Sequence, residues 1–169
     1  MKVILTLLLF LFIQSKNISK RGAYMIGYFE GFSATAYWDK WGKVWTIGYG
    51  DTGDVKQGQR ISKAQGLTLL QKDCKSVEKY VNDKKYVPQT ASLNQQQFDA
   101  LVSFGYNLGP GYLPKLCKGK TMKQIAQDIH KYCHAGGEVL PGLVRRRKAE
   151  SNLILHGKTM ISDIDNAKL

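Results

Sequence analysis

The sequence predicts an α+β fold dominated by helix, with a small antiparallel β-sheet lobe joined by a long helix to a helical lobe. Three observations predict it. Residues 36–50, AYWDKWGKVWTIGYG, are rich in aromatic and β-branched residues and broken by glycine, as short antiparallel strands are. Ile61, Ala64, Leu67, Leu70, Cys74, Val77 and Val81 then recur at steps of three and four, marking one buried face of a long helix. Beyond Pro88, capping patterns and glycine stops divide the chain into several shorter helices.

Each element has its own signal. Residues 22–31, GAYMIGYFEG, read as a short helix with Tyr24, Ile26 and Phe29 apolar and Gly31 suited to a left-handed end. Residues 51–60 are turn-rich. Ser62-Lys63-Ala64-Gln65 has the form of a capping box opening the long helix, and Ser92-Leu93-Asn94-Gln95 repeats it before Phe98, Leu101, Val102 and Gly105. Gly109-Pro110-Gly111 stops that helix. Thr121-Met122-Lys123-Gln124 starts another, with Ile125, Ile129 and Cys133 inward and Gly136-Gly137 as its end. Pro141-Gly142 precedes a last helix, about 143–155, closed near Gly157. One domain is expected over 22–157, with 158–169 as a peripheral tail.

The 169 residues suffice to bury a core without staples. With 25 Lys and Arg against 13 Asp and Glu, the net charge is +12, so the surface should attract an anionic polymer such as a bacterial wall. Met1-Lys2 and the eleven apolar residues VILTLLLFLFI have the form of a signal peptide, here assigned to 1–15 with cleavage near Ser15 and no later than about residue 19. This run is too short to span a bilayer, so no stable membrane anchor is expected once it is removed. An uncleaved anchor is the weaker alternative. Asn17-Ile18-Ser19 is a glycosylation triplet. Cys74, Cys117 and Cys133 allow at most one internal bridge, and the sequence does not choose the pair.

Glu30 and Asp39 lie nine residues apart in a glycine- and tryptophan-rich stretch. Cleaving a glycosidic bond takes two carboxyl groups, one protonated to donate to the leaving oxygen and one ionised to activate water or attack the sugar. Glu30, ending an apolar helix, is placed for the first role through partial desolvation. Asp39, on a glycine-bounded turn beside Lys40, is placed to stay ionised, and Thr46 could hold a water. Trp38, Trp41, Trp45 and Tyr49 offer flat surfaces of the kind sugars stack on. Spacing alone also fits a surface acid and a turn former, because placement makes an acid–base pair.

Glu30-Gly31-Phe32, Ala36-Tyr37-Trp38-Asp39, Trp45-Thr46-Ile47-Gly48-Tyr49-Gly50, Leu93 to Phe104, Asn107-Leu108-Gly109 and Leu140 to Glu150 carry a resemblance. Together they resemble the phage-type, T-even-phage-like lysozymes, the muramidase family of phage endolysins, over roughly residues 24–157. The resemblance implies hydrolysis of the β-1,4 link between N-acetylmuramic acid and N-acetylglucosamine in a cleft between two lobes. It implies Glu30 as proton donor, Asp39 and Thr46 at the attacking water or the developing positive sugar, and Asn107 with Tyr106 as substrate contacts. It further implies that an arginine of the last helix, Arg145 or Arg146, approaches the catalytic acid. Two departures stand out: one extra residue, Lys43, between the aspartate and the threonine, and Asp51 where relatives often carry histidine.

The remaining clusters say less. Arg145-Arg146-Arg147-Lys148 looks like a nucleic-acid patch, but successive residues on a helix point about 100° apart, so the four cannot all meet one partner. Arg146 can instead pair with Glu150 one turn on. His130, Cys133 and His134 fall short of the four ligands of a closed zinc site, so neither metal nor cofactor is expected. The expected partner is peptidoglycan polysaccharide, with no nucleic acid, and the expected form a secreted monomer or one in a phagosomal or lysosomal lumen. The alternative reading is a cationic wall- or membrane-binding antimicrobial protein without catalysis.

Overall fold

The computed structural model describes residues 15–40 and 42–168. The signal-peptide assignment at 1–14 and Trp41 lie outside the described residues. Seven helices and two two-stranded sheets are seen among the described residues, and the helix-dominated α+β reading holds.

Helix α1 (Lys20–Glu30) is capped by Ser19, whose hydroxyl accepts from the Gly22 amide. Strands β1 (Ser33–Asp39) and β2 (Val44–Gly48) pair antiparallel, with Tyr37 opposite Thr46, Trp38 opposite Trp45 and Asp39 opposite Val44. The extra residue Lys43 sits in the connecting turn with a positive φ of 51°. It does not break the pairing, because Val44 still meets Asp39. The irregularity of the ladder lies instead between Ser33 and Tyr37.

Helix α2 (Lys63–Val81) has both bonds of the predicted capping box, Ser62 to Gln65 and back. Its predicted stripe is buried from Leu70 onward, at Leu70, Cys74, Val77 and Val81, while Ala64 is exposed. The first turns run alongside the sheet lobe, outside the main core. The next helix, α3 (Gln95–Leu108), is capped by Asn94 with Gln97, two residues later than the sequence suggests. Ser92 closes a short 3-10 turn instead, its hydroxyl bonded to the Gln89 carbonyl.

Every residue of α3 from Phe98 to Gly105 is buried, so this helix runs through the middle of the helical lobe rather than over its surface. Around it pack α1, α2, the short α4 (Leu113–Cys117) and α6 (Pro141–His156), and α5 (Met122–Asp128) packs on α6 and α4. The shared core includes Met25, Ile26, Phe104, Leu116, Ile125 and Ile129. Helix α5 starts at Thr121 as predicted, but Cys133 does not face inward from it. The helix has ended by then, and Cys133 leads into strand β3 (His134–Ala135), joined to β4 (Glu138–Val139) through Gly136-Gly137. These glycines turn a hairpin rather than stop a helix. Helix α6 begins at Pro141 and is closed by Gly157, with φ 69° and ψ 10°.

Both ends of the described chain are fastened down. The Lys16, Ile18 and Ser19 amides donate to Asn82, Glu78 and Asp99 side chains, so the ordered domain begins before residue 22. Residues after Gly157 are not peripheral: Thr159 and Ile164 are buried, and α7 (Ser162–Asp165) packs on α1. Cys74, Cys117 and Cys133 are all free thiols. Burial pushes Cys74 and Cys117 up to about 12.

Candidate active site

Helix α1 places Glu30 on its last turn, and the chain leaves at Gly31 with φ 80° and ψ 155°, a conformation open essentially to glycine. The sheet lobe therefore starts immediately beyond this carboxylate. The Glu30 side chain is 29% exposed, and its Oε1 accepts from Arg146 Nη1 at 2.7 Å. Glu30 thus ends an apolar helix, as the sequence places it, and a buried cation stands beside its carboxylate.

Arg146 is itself buried, held from three sides. Its Nε lies 3.4 Å from Glu150 Oε1, its Nη2 donates to the Ser103 carbonyl at 3.2 Å, and its guanidinium covers the Phe29 ring. Glu150 is fully buried and also accepts from the Ser103 hydroxyl at 2.6 Å. Arg147 completes the set: Nε stands 2.8 Å from Glu150 Oε2, and Nη2 donates to Glu150 Oε1 and to Asn107 Oδ1, each at 3.0 Å. Two carboxylates and two guanidiniums alternate, so the buried charge cancels within the cluster. Burial pushes the Glu150 carboxyl up and the Arg147 guanidinium down, and each is opposed by the other's charge.

Of the predicted residues, Tyr106 joins Glu30. Burial first, and then the Glu30 charge, push its phenol well above the usual range. Asn107 reaches the same network through its bond to Arg147. The sequence left Arg145 and Arg146 as alternatives; Arg146 meets Glu30, while Arg145 donates to the Tyr28 hydroxyl at 3.0 Å. A recess between α1 and α6 is lined by Tyr28, Phe29, Gly142, Arg145 and Arg146.

Asp39 and Thr46 lie on the other lobe. Asp39 is half-buried at the end of β1, its Oδ2 so close to Gly42 that an added methyl would stand 2.9 Å from it. Thr46 is buried opposite Tyr37, with its hydroxyl 3.5 Å from the Val44 carbonyl, a long contact. The expected aromatic surfaces divide. Trp38 is exposed and packs edge-on against Trp45, whereas Tyr49 is buried between α1 and α2 and offers no open face.

Ser103 and Arg147 were not identified from the sequence. Ser103 carries no pattern of its own, being one polar residue in an apolar run. Arg147 had one available signal, its i,i+3 spacing to Glu150.

The phage lysozyme family model matches residues 27–150, from the end of α1 to Glu150. The chain belongs to the phage lysozyme family. The endolysin of Lactococcus phage c2 is 39% identical over 143 residues, covering 81% of this chain and 59% of that protein. The chain thus spans little more than half the length of that relative. The endolysin of Acyrthosiphon pisum secondary endosymbiont phage 1 is 30% identical over 151 residues, 81% of this chain and 97% of its own. Among solved structures, the muramidase domain of SpmX from Asticaccaulis excentricus is similar with a TM-score of 0.70 and 32% identity, over 84% of this chain and 99% of that one. The matched family segment contains Glu30, Asp39, Thr46, Tyr106, Asn107 and Arg146 together.

Proposed function

We propose that the chain is a muramidase that hydrolyses β-1,4 links between N-acetylmuramic acid and N-acetylglucosamine in bacterial peptidoglycan. The observation that carries this reading is the partly open Glu30 carboxylate, fixed by buried Arg146 where α1 hands over to the sheet lobe. Membership of the phage lysozyme family and the similarity to a muramidase domain support it.

Glu30 gives its proton to the leaving glycosidic oxygen. A sugar chain covering its exposed side excludes bulk water from the reacting bond. Arg146 fixes the rotamer of Glu30, so the proton is presented in one direction. Asp39 and Thr46, on the sheet lobe, guide the attacking water or stabilise the positive sugar. Tyr106 borders Glu30, and Asn107 offers its amide group to the saccharide, its carbonyl oxygen being taken by Arg147.

The test is clearance of a purified peptidoglycan suspension, with product reducing ends identified by mass spectrometry. The wild type should release chains ending in N-acetylmuramic acid, and Glu30→Gln should release almost none. Equal killing of bacteria by both proteins, without sugar release, would instead make this a non-catalytic cationic binder.

A further inference from the structure

Far from Glu30, the other end of α1 borders a basic groove that the chemistry above does not use. Two depressions meet at Thr68 and Gln71 on the outer side of α2. Lys20, Lys63 and Lys168 line the first, and Lys72 and Lys75 the second. All five lysines are exposed. From Lys63 to Lys75 the groove follows α2 for about 18 Å at 1.5 Å per residue. Lys20 and Glu30 are separated by about 15 Å along α1 on the same rise. The groove is therefore separate from the catalytic end of the domain.

Among the described lining residues Glu78 is the one acid, and its Oε1 turns inward to the Ile18 amide at 2.8 Å. The field along the groove is accordingly positive. We infer that this groove binds a flexible phosphodiester-linked polyol chain, an anionic polymer attached to or accompanying the wall. The inference takes its bacterial setting from the muramidase reading, but its contacts do not depend on Glu30.

Three features select this occupant. The cations are all lysines, compact point charges without the planar fork by which arginine fixes one headgroup, so they suit a repeating charge that can slide in register. The groove is concave and bends from the end of α1 onto α2, which a flexible chain can follow more readily than a stiff glycan. Gln71, with the Thr68 hydroxyl beside it, lies between the two lysine groups, where polyol hydroxyls would fall. Nucleic acid shares the phosphodiester chemistry, but its bases need open aromatic faces. Two tyrosines line the groove: Tyr49 is 8% exposed with its ring packed against Gly27 and Gly66, and Tyr24 is half-buried against the core.

The experiment titrates the full chain with fluorescent polyglycerol phosphate at low salt, following anisotropy. A groove variant, Lys63→Gln with Lys72→Gln and Lys75→Gln, is compared with a variant losing the same charge elsewhere, Lys84→Gln with Lys118→Gln and Lys123→Gln. The groove variant should bind about tenfold more weakly, the scale of three solvated ion pairs, and the other variant less than about twofold. Both should hydrolyse peptidoglycan stripped of polyol phosphate at the wild-type rate. Equal loss in both variants would mean that net charge alone binds the polymer, and loss in neither would remove the groove. A single-stranded oligonucleotide bound as tightly as the polyol phosphate would overturn the choice of partner. Failure of the wild type on stripped peptidoglycan would count against the muramidase reading alone, because polymer binding is read without catalysis.

Discussion

Arg146 Nη1 donates to Glu30 Oε1 across 2.7 Å, tying the last residue of α1 to the middle of α6. The guanidinium is 3% exposed and the carboxylate 29%, so a buried cation holds an acid that still faces outward. That asymmetry separates two jobs: Arg146 belongs to the interior framework, and Glu30 is the part left available for chemistry.

Glu30→Gln should therefore abolish peptidoglycan clearance while changing stability little. A glutamine keeps the shape and an acceptor for Arg146, and Arg146 keeps Glu150 and the Ser103 carbonyl. Loss of a general acid costs about 10²- to 10⁴-fold. Circular dichroism and urea unfolding check the fold beside the rate. A variant retaining full activity would take Glu30 out of the mechanism.

The adjacent arginines should behave differently. Arg146→Ala leaves buried Glu150 with one guanidinium instead of two and should cost about 3–5 kcal/mol in urea unfolding. Arg145 is exposed and donates to the Tyr28 hydroxyl, so Arg145→Ala should fall within about 0.5 kcal/mol of wild type. Similar costs for the two would show that the buried charge cluster is not what holds the α1–α6 junction.

Thr46→Val tests the sheet lobe. The hydroxyl makes only a long contact to the Val44 carbonyl, so removing it should change stability by less than about 1 kcal/mol. If that hydroxyl orients water, turnover should fall by about 10²-fold with binding to peptidoglycan unchanged. A stable, fully active Thr46→Val protein would make the hydroxyl a spectator.

The sequence made the helices legible where local chemistry decided them. Ser62 and Thr121 cap as read, because an N-cap needs only its own residue and the one three positions on. Asn94 displaced Ser92 because both have capping side chains and a 3-10 turn takes up the earlier one. What escaped was set by tertiary packing. Nothing local says that Ser103 accepts Arg146 on its carbonyl and gives its hydroxyl to Glu150, or that Ile164 returns to the core beside α1. In the site, Glu30 and Asp39 were readable as acids in a distinctive segment, yet which of Arg145 and Arg146 faces inward depends on the rotation of α6. The charged surroundings of Glu30 follow from that rotation and not from the apolar run before it.

Asp99 gives a test of the fastened N-terminal segment with a definite sign. It is buried on α3 and accepts from the Ser19 amide and hydroxyl and from Gln95, and so holds the residue that caps α1. Burial raises its carboxyl above the ordinary value of 3.8, with the Ser19 and Gln95 hydrogen bonds opposing the shift. Between that ordinary value and the raised one, the folded protein holds the proton more firmly than the unfolded chain. The Asp99 contribution to stability is therefore fully present below 3.8 and declines as pH rises through the folded-state value. Asp99→Asn removes this titration and loses an acceptor, costing about 1–3 kcal/mol at neutral pH. The difference between wild type and variant should widen as pH is lowered from neutral toward 3.8, while the titrations common to both proteins cancel. Urea unfolding of the two proteins across that range measures it, with hydrogen exchange at Gly22 reporting the cap. A difference that narrows on acidification would show that hydrogen bonding to the ionised carboxylate, rather than its burial, governs this site.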